Sequence, residues 1–309
     1  MPGVATPDYT DDLRLAHLLA DDADSLTQAR FKALDLHVMS KPDLTPVTDA
    51  DSSVEESIRR TLGRARSRDA ITGEEEGTSG HSQRRWIIDP IDGTKNFVRG
   101  VPVWATLISL VVDDEVVLGV VSAPALQRRW WAAVGQGAWT GRSLLKATRC
   151  QVSDVRRLED ASFSYSSLSG WEDRGLGDDV LGLMRRVWRT RAYGDFWSYM
   201  LLAEGAVDLA AEPELEVYDM AALDIIVREA GGRFTSLDGR DGPWGGNALA
   251  SNGHLHEVAM SYLGSVADDA GDADWPRTGP GSVSDLRAHR ARHADPDDRA
   301  DDADGPADA

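Results

Sequence analysis

Segments of helical and β-prone pattern alternate along this chain, which predicts an α/β (α+β) protein with mixed sheets covered by helices. Three observations carry that prediction. Residues 11–33 place Leu15, Leu18, Leu19 and Leu26 among charged residues at helical spacing, and 52–63 suggests a second helix. A block of β-prone segments follows at 86–88, 104–112, 115–122 and 129–134, with Asp113 and Asp114 marking a hairpin and Gly135 and Gly137 the next turn. The remainder alternates: strand near 161–165, helices 178–189 and 195–204, strand 206–211, and helix 219–230 ending at Gly231 and Gly232. Short strands near 233–235 and 247–250 and a helix around 254–263 complete it. Boundaries are expected between a flexible stretch 1–10, an N-terminal half 11–155, a C-terminal half 156–264 and a tail 265–309. That tail is rich in Asp, Ala, Gly, Pro and Arg with almost no large apolar side chains, a composition expected to stay disordered.

Charge and composition exclude several partners. The formal net charge is −19, and 265–309 holds 12 Asp and 5 Arg, so most of the acidity lies in the rest of the chain. Nucleic acid and anionic lipid are therefore not expected partners. The first residues lack the basic start and apolar core of a signal peptide, and no apolar run is long enough to span a bilayer. With Cys150 as the one cysteine no intrachain disulfide forms, and a cytoplasmic location is expected. Most of the ten Trp must be core or interface; Trp104, Trp130 and Trp131 could wall a pocket, but adjacent Trp130 and Trp131 face opposite sides of any strand.

The chemistry concentrates in WIIDPIDGTKNF at 86–97. Trp86, Ile87 and Ile88 read as a buried strand that ends where Asp89 and Pro90 break the pattern. Asp89 and Asp92 then share a turn, close enough to face one cation, with turn carbonyls as further hard ligands. Gly93 and Thr94 begin a short helix whose unpaired N–H groups favour an anion. Further carboxylates come from Glu74, Glu75 and Glu76, from Asp51 and from Asp219; Glu75 and Glu76 read as solvated, and Asp51 and Asp219 read equally as helix caps. Oxygen donors suit Mg²⁺ or Mn²⁺. His254 and His256, the one His-x-His, read as a surface feature of a polar loop, which leaves no His cluster for a zinc-type site. The spacing Asp-x-x-Asp also departs from the Asp-x-Asp of aspartyl-phosphate enzymes.

VTDAD at 47–51, GEE at 73–75, DPIDGT at 89–94 and YDMAALDIIVREAGG at 218–232 stand in the order that resembles the inositol monophosphatase family of magnesium-dependent phosphomonoesterases, over roughly residues 10 to 263. That resemblance implies a layered α-β-α-β-α sandwich of the inositol monophosphatase and fructose-1,6-bisphosphatase type, a homodimer, and two or three Mg²⁺, with Mn²⁺ a possible substitute. It makes Glu74, Asp89, Asp92 and Asp219 metal ligands with the Ile91 carbonyl, places Asp51 at the outer acidic position, and assigns Gly93 and Thr94 to phosphate. Thr94 and Glu74 would orient the attacking water, and Glu212 would contact the leaving alcohol.

Asp195, after Gly194, stands where inositol-preferring relatives more often carry a small or hydroxyl residue, and an added carboxylate favours a cationic substrate. Its competing reading is an N-cap for the helix that follows. Together with VRGVPVWA at 98–105, APALQRRWWAA at 123–133 and SFSYSSLSGW at 162–171, the pattern is similar to the actinobacterial histidinol-phosphate phosphatases of the same family. The expected substrate is a small phosphate monoester, L-histidinol phosphate before inositol 1-phosphate or another polyol phosphate, with a catalytically silent metal-binding regulator as the alternative of a different class.

Overall fold

The computed structural model describes residues 8–41, 45–144 and 146–264; the expectations for 1–7 and for the acidic tail lie outside the described residues. Helix α1 (Thr10–Arg30) and the pair β1 (Val38–Ser40) and β2 (Pro46–Thr48) lead into α2 (Asp49–Ala65). Strands β3 (Ala70–Gly73), β4 (Gly77–Ser79) and β5 (Arg84–Asp92) precede the short helix α3 (Thr94–Val98). Then come β6 (Ala105–Val112), β7 (Glu115–Ala123), β8 (Arg128–Ala133), β9 (Ala138–Ser143) and β10 (Lys146–Arg149). The second half runs β11 (Ser162–Tyr165), α4 (Leu168–Asp173), α5 (Gly177–Met184), β12 (Arg189–Arg191), α6 (Asp195–Ala203), β13 (Leu209–Glu212), α7 (Val217–Glu229), β14 (Arg233–Thr235), β15 (Ala248–Ser251) and α8 (His256–Leu263).

An eight-stranded sheet, in the order β10-β9-β8-β7-β6-β5-β3-β4, and a five-stranded sheet, β12-β11-β13-β15-β14, make two layers. Helices α1 and α2 pack on the outer face of the larger sheet, where Leu19, Val54, Ile58 and Leu62 meet Trp86, Ile88, Leu110 and Trp131. Its other face buries Ile87, Leu107, Val121 and Trp130 against Phe196, Leu202, Ile225 and Ile226 of α6 and α7. The same two helices rest on Ala210, Ala248 and Ala250 of the smaller sheet, whose far face holds Phe163, Leu209 and Leu249 against Val180, Leu183, Ala259 and Leu263. The layering is thus α-β-α-β-α, as expected. Burial on both faces explains why β5 to β8 read as continuous apolar runs rather than alternating ones.

Several expectations need correction. Strand β5 does not stop at Asp89; it runs through Pro90 to Asp92. Pairing passes from Asp89–Leu107 to Asp92–Ala105, so β5 carries an extra residue in a bulge. Proline is tolerated at a bulge because the ladder lacks a donor requirement there, and Thr106 Oγ1 donates to the Pro90 carbonyl at 2.8 Å. The helix expected over 178–189 ends at Met184, and Arg189–Arg191 is an edge strand. His256 is buried, hydrogen bonded to Thr235 Oγ1 at 3.0 Å and Ser251 Oγ at 2.9 Å, whereas His254 is exposed beside Asp154. Trp104, Trp130 and Trp131 are all buried, with Trp130 and Trp131 on opposite faces. The Asp113-Asp114 hairpin forms with both residues at positive φ, the mirror-image turn that suits sheet twist.

One glycine sets the distance between layers. A Cβ on Gly119 in β7 would lie 2.7 Å from Ile225 Cγ2 and 2.9 Å from the Ala222 Cα, so α7 seats on the sheet only because this position is bare. Gly119→Val is expected to destabilise the fold by about 1–3 kcal/mol by overpacking, read from the urea midpoint. Burial, then Arg233, holds the His256 imidazole down at about 4. The folded state therefore keeps it neutral while the unfolded chain takes up a proton near pH 6.5. Its contribution is complete above that pH, falls by about 1.4 kcal/mol per pH unit down to about 4, and is flat below. His256→Asn should lower the proton uptake on unfolding by one over that window, measured from the pH dependence of the urea midpoint.

Candidate active site

The bulge at the end of β5 and the first turns of α2, α6 and α7 converge on one acidic pocket. Carboxylate oxygens of Asp89, Asp92 and Asp219 lie within 4.8 Å of one another, a group that could hold a metal ion. Each is aimed by backbone. Asp89 Oδ1 accepts from the Ile91 N–H at 2.9 Å, Asp92 Oδ2 accepts from the Phe196 N–H at 2.6 Å, and Asp219 Oδ2 accepts from the Glu216 N–H at 2.7 Å. Asp219 is the third residue of α7, where it completes a capping box with Glu216. Asp51 holds the same position in α2: its Oδ2 takes the Thr48 N–H at 2.8 Å and the Thr48 hydroxyl at 2.6 Å. Asp51 and Asp219 thus cap their helices and also face the acidic pocket, two readings that compete in the sequence.

Thr94 links these parts. It opens α3 after Gly93, its hydroxyl donates to the Ile91 carbonyl at 2.9 Å, and Asp51 Oδ1 lies 3.4 Å away. Gly93 sits at φ +83, and a Cβ there would come 3.1 Å from the Val103 carbonyl and 3.3 Å from Asp195 Oδ2. Glu74 follows β3 and lies against Asp89, close enough to raise that residue's pKa, but outside the tight group of three. Its Oε1 pairs with Lys41 Nζ at 2.6 Å, and Lys41 also reaches Glu75 at 2.9 Å. Glu75 is therefore largely buried and paired rather than solvated, while Glu76 remains half exposed.

On the far wall, Asp195 is the first residue of α6, after Gly194, and makes no cap. Its φ of +52 is left-handed, a strained conformation for a residue with a Cβ, and turns the carboxylate to Asn96 Nδ2 at 3.0 Å. Glu212, at the end of β13, is 7% exposed, and its carboxylate stands beside the hydroxyl of buried Tyr199.

Burial and mutual repulsion dominate the electrostatics. Burial, then Glu74, Asp92 and Asp219, pushes Asp89 well above the usual carboxylate range; burial, then Asp195 and Asp219, does the same to Asp92. Glu212 is likewise raised, first by burial and then by Asp195 and Asp219. Asp219 rises to about 7 and Asp51 to about 6, burial again first. A pocket of carboxylates and carbonyls with so little compensating positive charge fits hard divalent cations, which would restore the ionised forms. Of the residues expected at the site, Asp89, Asp92 and Asp219 form the tight group, with Asp51, Glu74, Thr94, Asp195 and Glu212 within hydrogen-bonding or electrostatic reach of it or of one another. Lys41, Asn96, Tyr199 and Glu55, whose carboxylate binds the backbone after Glu74, were not expected; of these only Asn96 lies within a quoted motif.

Comparison with known proteins agrees with this geometry. The model of the inositol monophosphatase family matches residues 10–267. The histidinol-phosphatase of Streptomyces coelicolor is 65% identical over 261 residues, 83% of this chain and 98% of that one. The histidinol-phosphatase of Mycobacterium tuberculosis is 61% identical over 254 residues, 82% and 98% of the two chains. Among solved structures, the Thermotoga maritima IMPase superposes with a TM-score of 0.74 at 30% identity, covering 82% of this chain and 97% of its own. With the four motifs gathered at one pocket in the five-layer fold, the chain belongs to the inositol monophosphatase family.

Proposed function

We propose that the chain is a metal-dependent phosphomonoesterase that hydrolyses L-histidinol phosphate to L-histidinol and phosphate. The observation that carries the substrate is the pair of carboxylates, half-buried Asp195 and buried Glu212, set against the acidic group of Asp89, Asp92 and Asp219. Two acids within electrostatic reach of one another and of that group suit a substrate with an ammonium and an imidazole beside its phosphate ester. The histidinol-phosphatases at 65% and 61% identity support the same reading.

Asp89, Asp92, Asp219, Glu74 and the Ile91 carbonyl would hold two or three Mg²⁺, with Mn²⁺ as a substitute. When bound, these cations supply charge neutralisation for the phosphate and the leaving oxygen and acidify water. Gly93 and Thr94 would receive phosphate oxygens through backbone N–H groups. Gly93 leaves the room a side chain would take from Asp195 and the Val103 carbonyl. The Thr94 hydroxyl, held between the Ile91 carbonyl and Asp51, would orient the attacking water together with Glu74. Asp195, fixed by Asn96, and Glu212 would take the cationic groups of the substrate.

Asp92→Asn is expected to abolish turnover in saturating Mg²⁺ while leaving the melting curve close to wild type; near-normal activity would remove Asp92 from the metal site. Phosphate release from a panel of phosphomonoesters should show L-histidinol phosphate well ahead of inositol 1-phosphate, and equal catalytic efficiency on both would defeat the substrate assignment. Asp195→Asn should cost about 10- to 100-fold in kcat/KM on histidinol phosphate, the loss of one charge-assisted bond of about 1.5–3 kcal/mol, with little change on the polyol ester.

A further inference from the structure

We infer that Glu55 is a positioning residue that fixes the turn 73–76 and, through it, places Glu74 for metal binding. It lies one helical turn beyond Asp51 on α2 and is fully buried, yet it contributes no oxygen to the group of Asp89, Asp92 and Asp219. Its carboxylate is spent on the turn instead. Oε2 accepts from the Glu75 N–H at 2.8 Å and Oε1 from the Glu76 N–H at 3.0 Å. Arg59 donates to Oε1 at 2.8 Å and continues to Ser79 Oγ at 3.0 Å and the Gly77 carbonyl, tying the carboxylate to the β3–β4 connection.

Close approach is built into the backbone. A Cβ on Gly73 would lie 2.1 Å from Glu55 Oε1, so the turn reaches the carboxylate only because residue 73 is glycine. Glu74 stands between two anchors: its own N–H donates to the Ile88 carbonyl on β5 at 3.2 Å, and the next two N–H groups belong to Glu55. A turn at a sheet end ordinarily satisfies its N–H groups with water. Binding them to a buried, arginine-paired carboxylate holds the turn rigid at some desolvation cost. Mg²⁺ demands near-ideal octahedral geometry, so a ligand on a wandering turn is a poor one. Groups that orient a metal ligand are worth about 10- to 100-fold in affinity.

The inference rests on the reading of Glu74 as a metal ligand made above, and the test separates the two. Mn²⁺ is titrated into wild type, Glu74→Gln, Glu55→Gln and Gly73→Ala, with free Mn²⁺ followed by electron paramagnetic resonance and each variant melted by circular dichroism. Glu74→Gln identifies the site it supports. Glu55→Gln, which offers an amide donor to an N–H, and Gly73→Ala, which pushes the intact carboxylate away, should each weaken that same site about 10- to 100-fold. At saturating Mg²⁺ both should recover most of the wild-type kcat, because every reacting group is still present. If Glu74→Gln weakens Mn²⁺ binding but Glu55→Gln and Gly73→Ala bind within about twofold of wild type, Glu55 has no positioning role. A lowered melting temperature or kcat with unchanged Mn²⁺ affinity overturns it equally. Unchanged binding in Glu74→Gln overturns the ligand reading and this inference with it. Should Glu55→Gln fail to fold, Gly73→Ala decides.

Discussion

Mutual repulsion among buried carboxylates is the constraint around which this structure is arranged. Burial first, and then neighbouring carboxylates, raises the pKa values of Asp89, Asp92, Asp219 and Glu212, and burial raises that of Asp195. Counter-charge reaches only the edge of this group, through Lys95 at Asp195 and Lys41 at Glu74, and a lysine or arginine among the three clustered carboxylates would compete with a cation. Backbone N–H groups hold the carboxylates instead. Those at the starts of α2, α6 and α7 are the ones no helix can satisfy internally, and Asp51, Asp92 and Asp219 take them. Aligned helix dipoles add favourable potential at the same ends.

This solution dictates the layering. Three helices must begin at one point, so the sheets and the helices between them must bring those starts to the end of β5. Helix α7 can do so because Gly119 lets it settle onto the larger sheet, and because Ala210, Ala248 and Ala250 leave α6 and α7 room against the smaller one. The bulge in β5 completes the arrangement by placing Asp89 and Asp92 on the same side of the chain, which a regular strand could not do for residues three apart.

Much of this was legible in the sequence, for physical reasons that also mark where legibility ended. Carboxylates on a turn with Gly and Thr form a local pattern, and the apolar runs of β5 to β8 report burial directly. Pro90 misled because a bulge tolerates what a regular ladder rejects. The exposed three-residue strands β1, β4 and β12 carry no apolar periodicity and owe their form to a neighbour's hydrogen bonds. His256 looked like surface because its burial depends on Thr235 and Ser251. Glu55 and Lys41 carry no signal in the sequence; their partners lie 20 and 33 residues away, and no spacing rule connects them.

Under the proposed function, one hydrogen bond would couple the hydrolytic and selective parts of the pocket. Asp92, one of the three clustered carboxylates, accepts the N–H of Phe196, the residue after Asp195. Asn96, two residues beyond Thr94, holds Asp195 from the other direction while also donating to the Val103 carbonyl. Displacement of the Asp195 loop would therefore release an oxygen of Asp92, and displacement of α3 would loosen Asp195. Under the proposed function, selectivity would thus not be an independent rim laid over a fixed reaction centre. A residue at 195 that relieved the left-handed strain would also shift the Phe196 N–H, so exchange of substrate preference at that position requires compensation at Asp92 or Asn96.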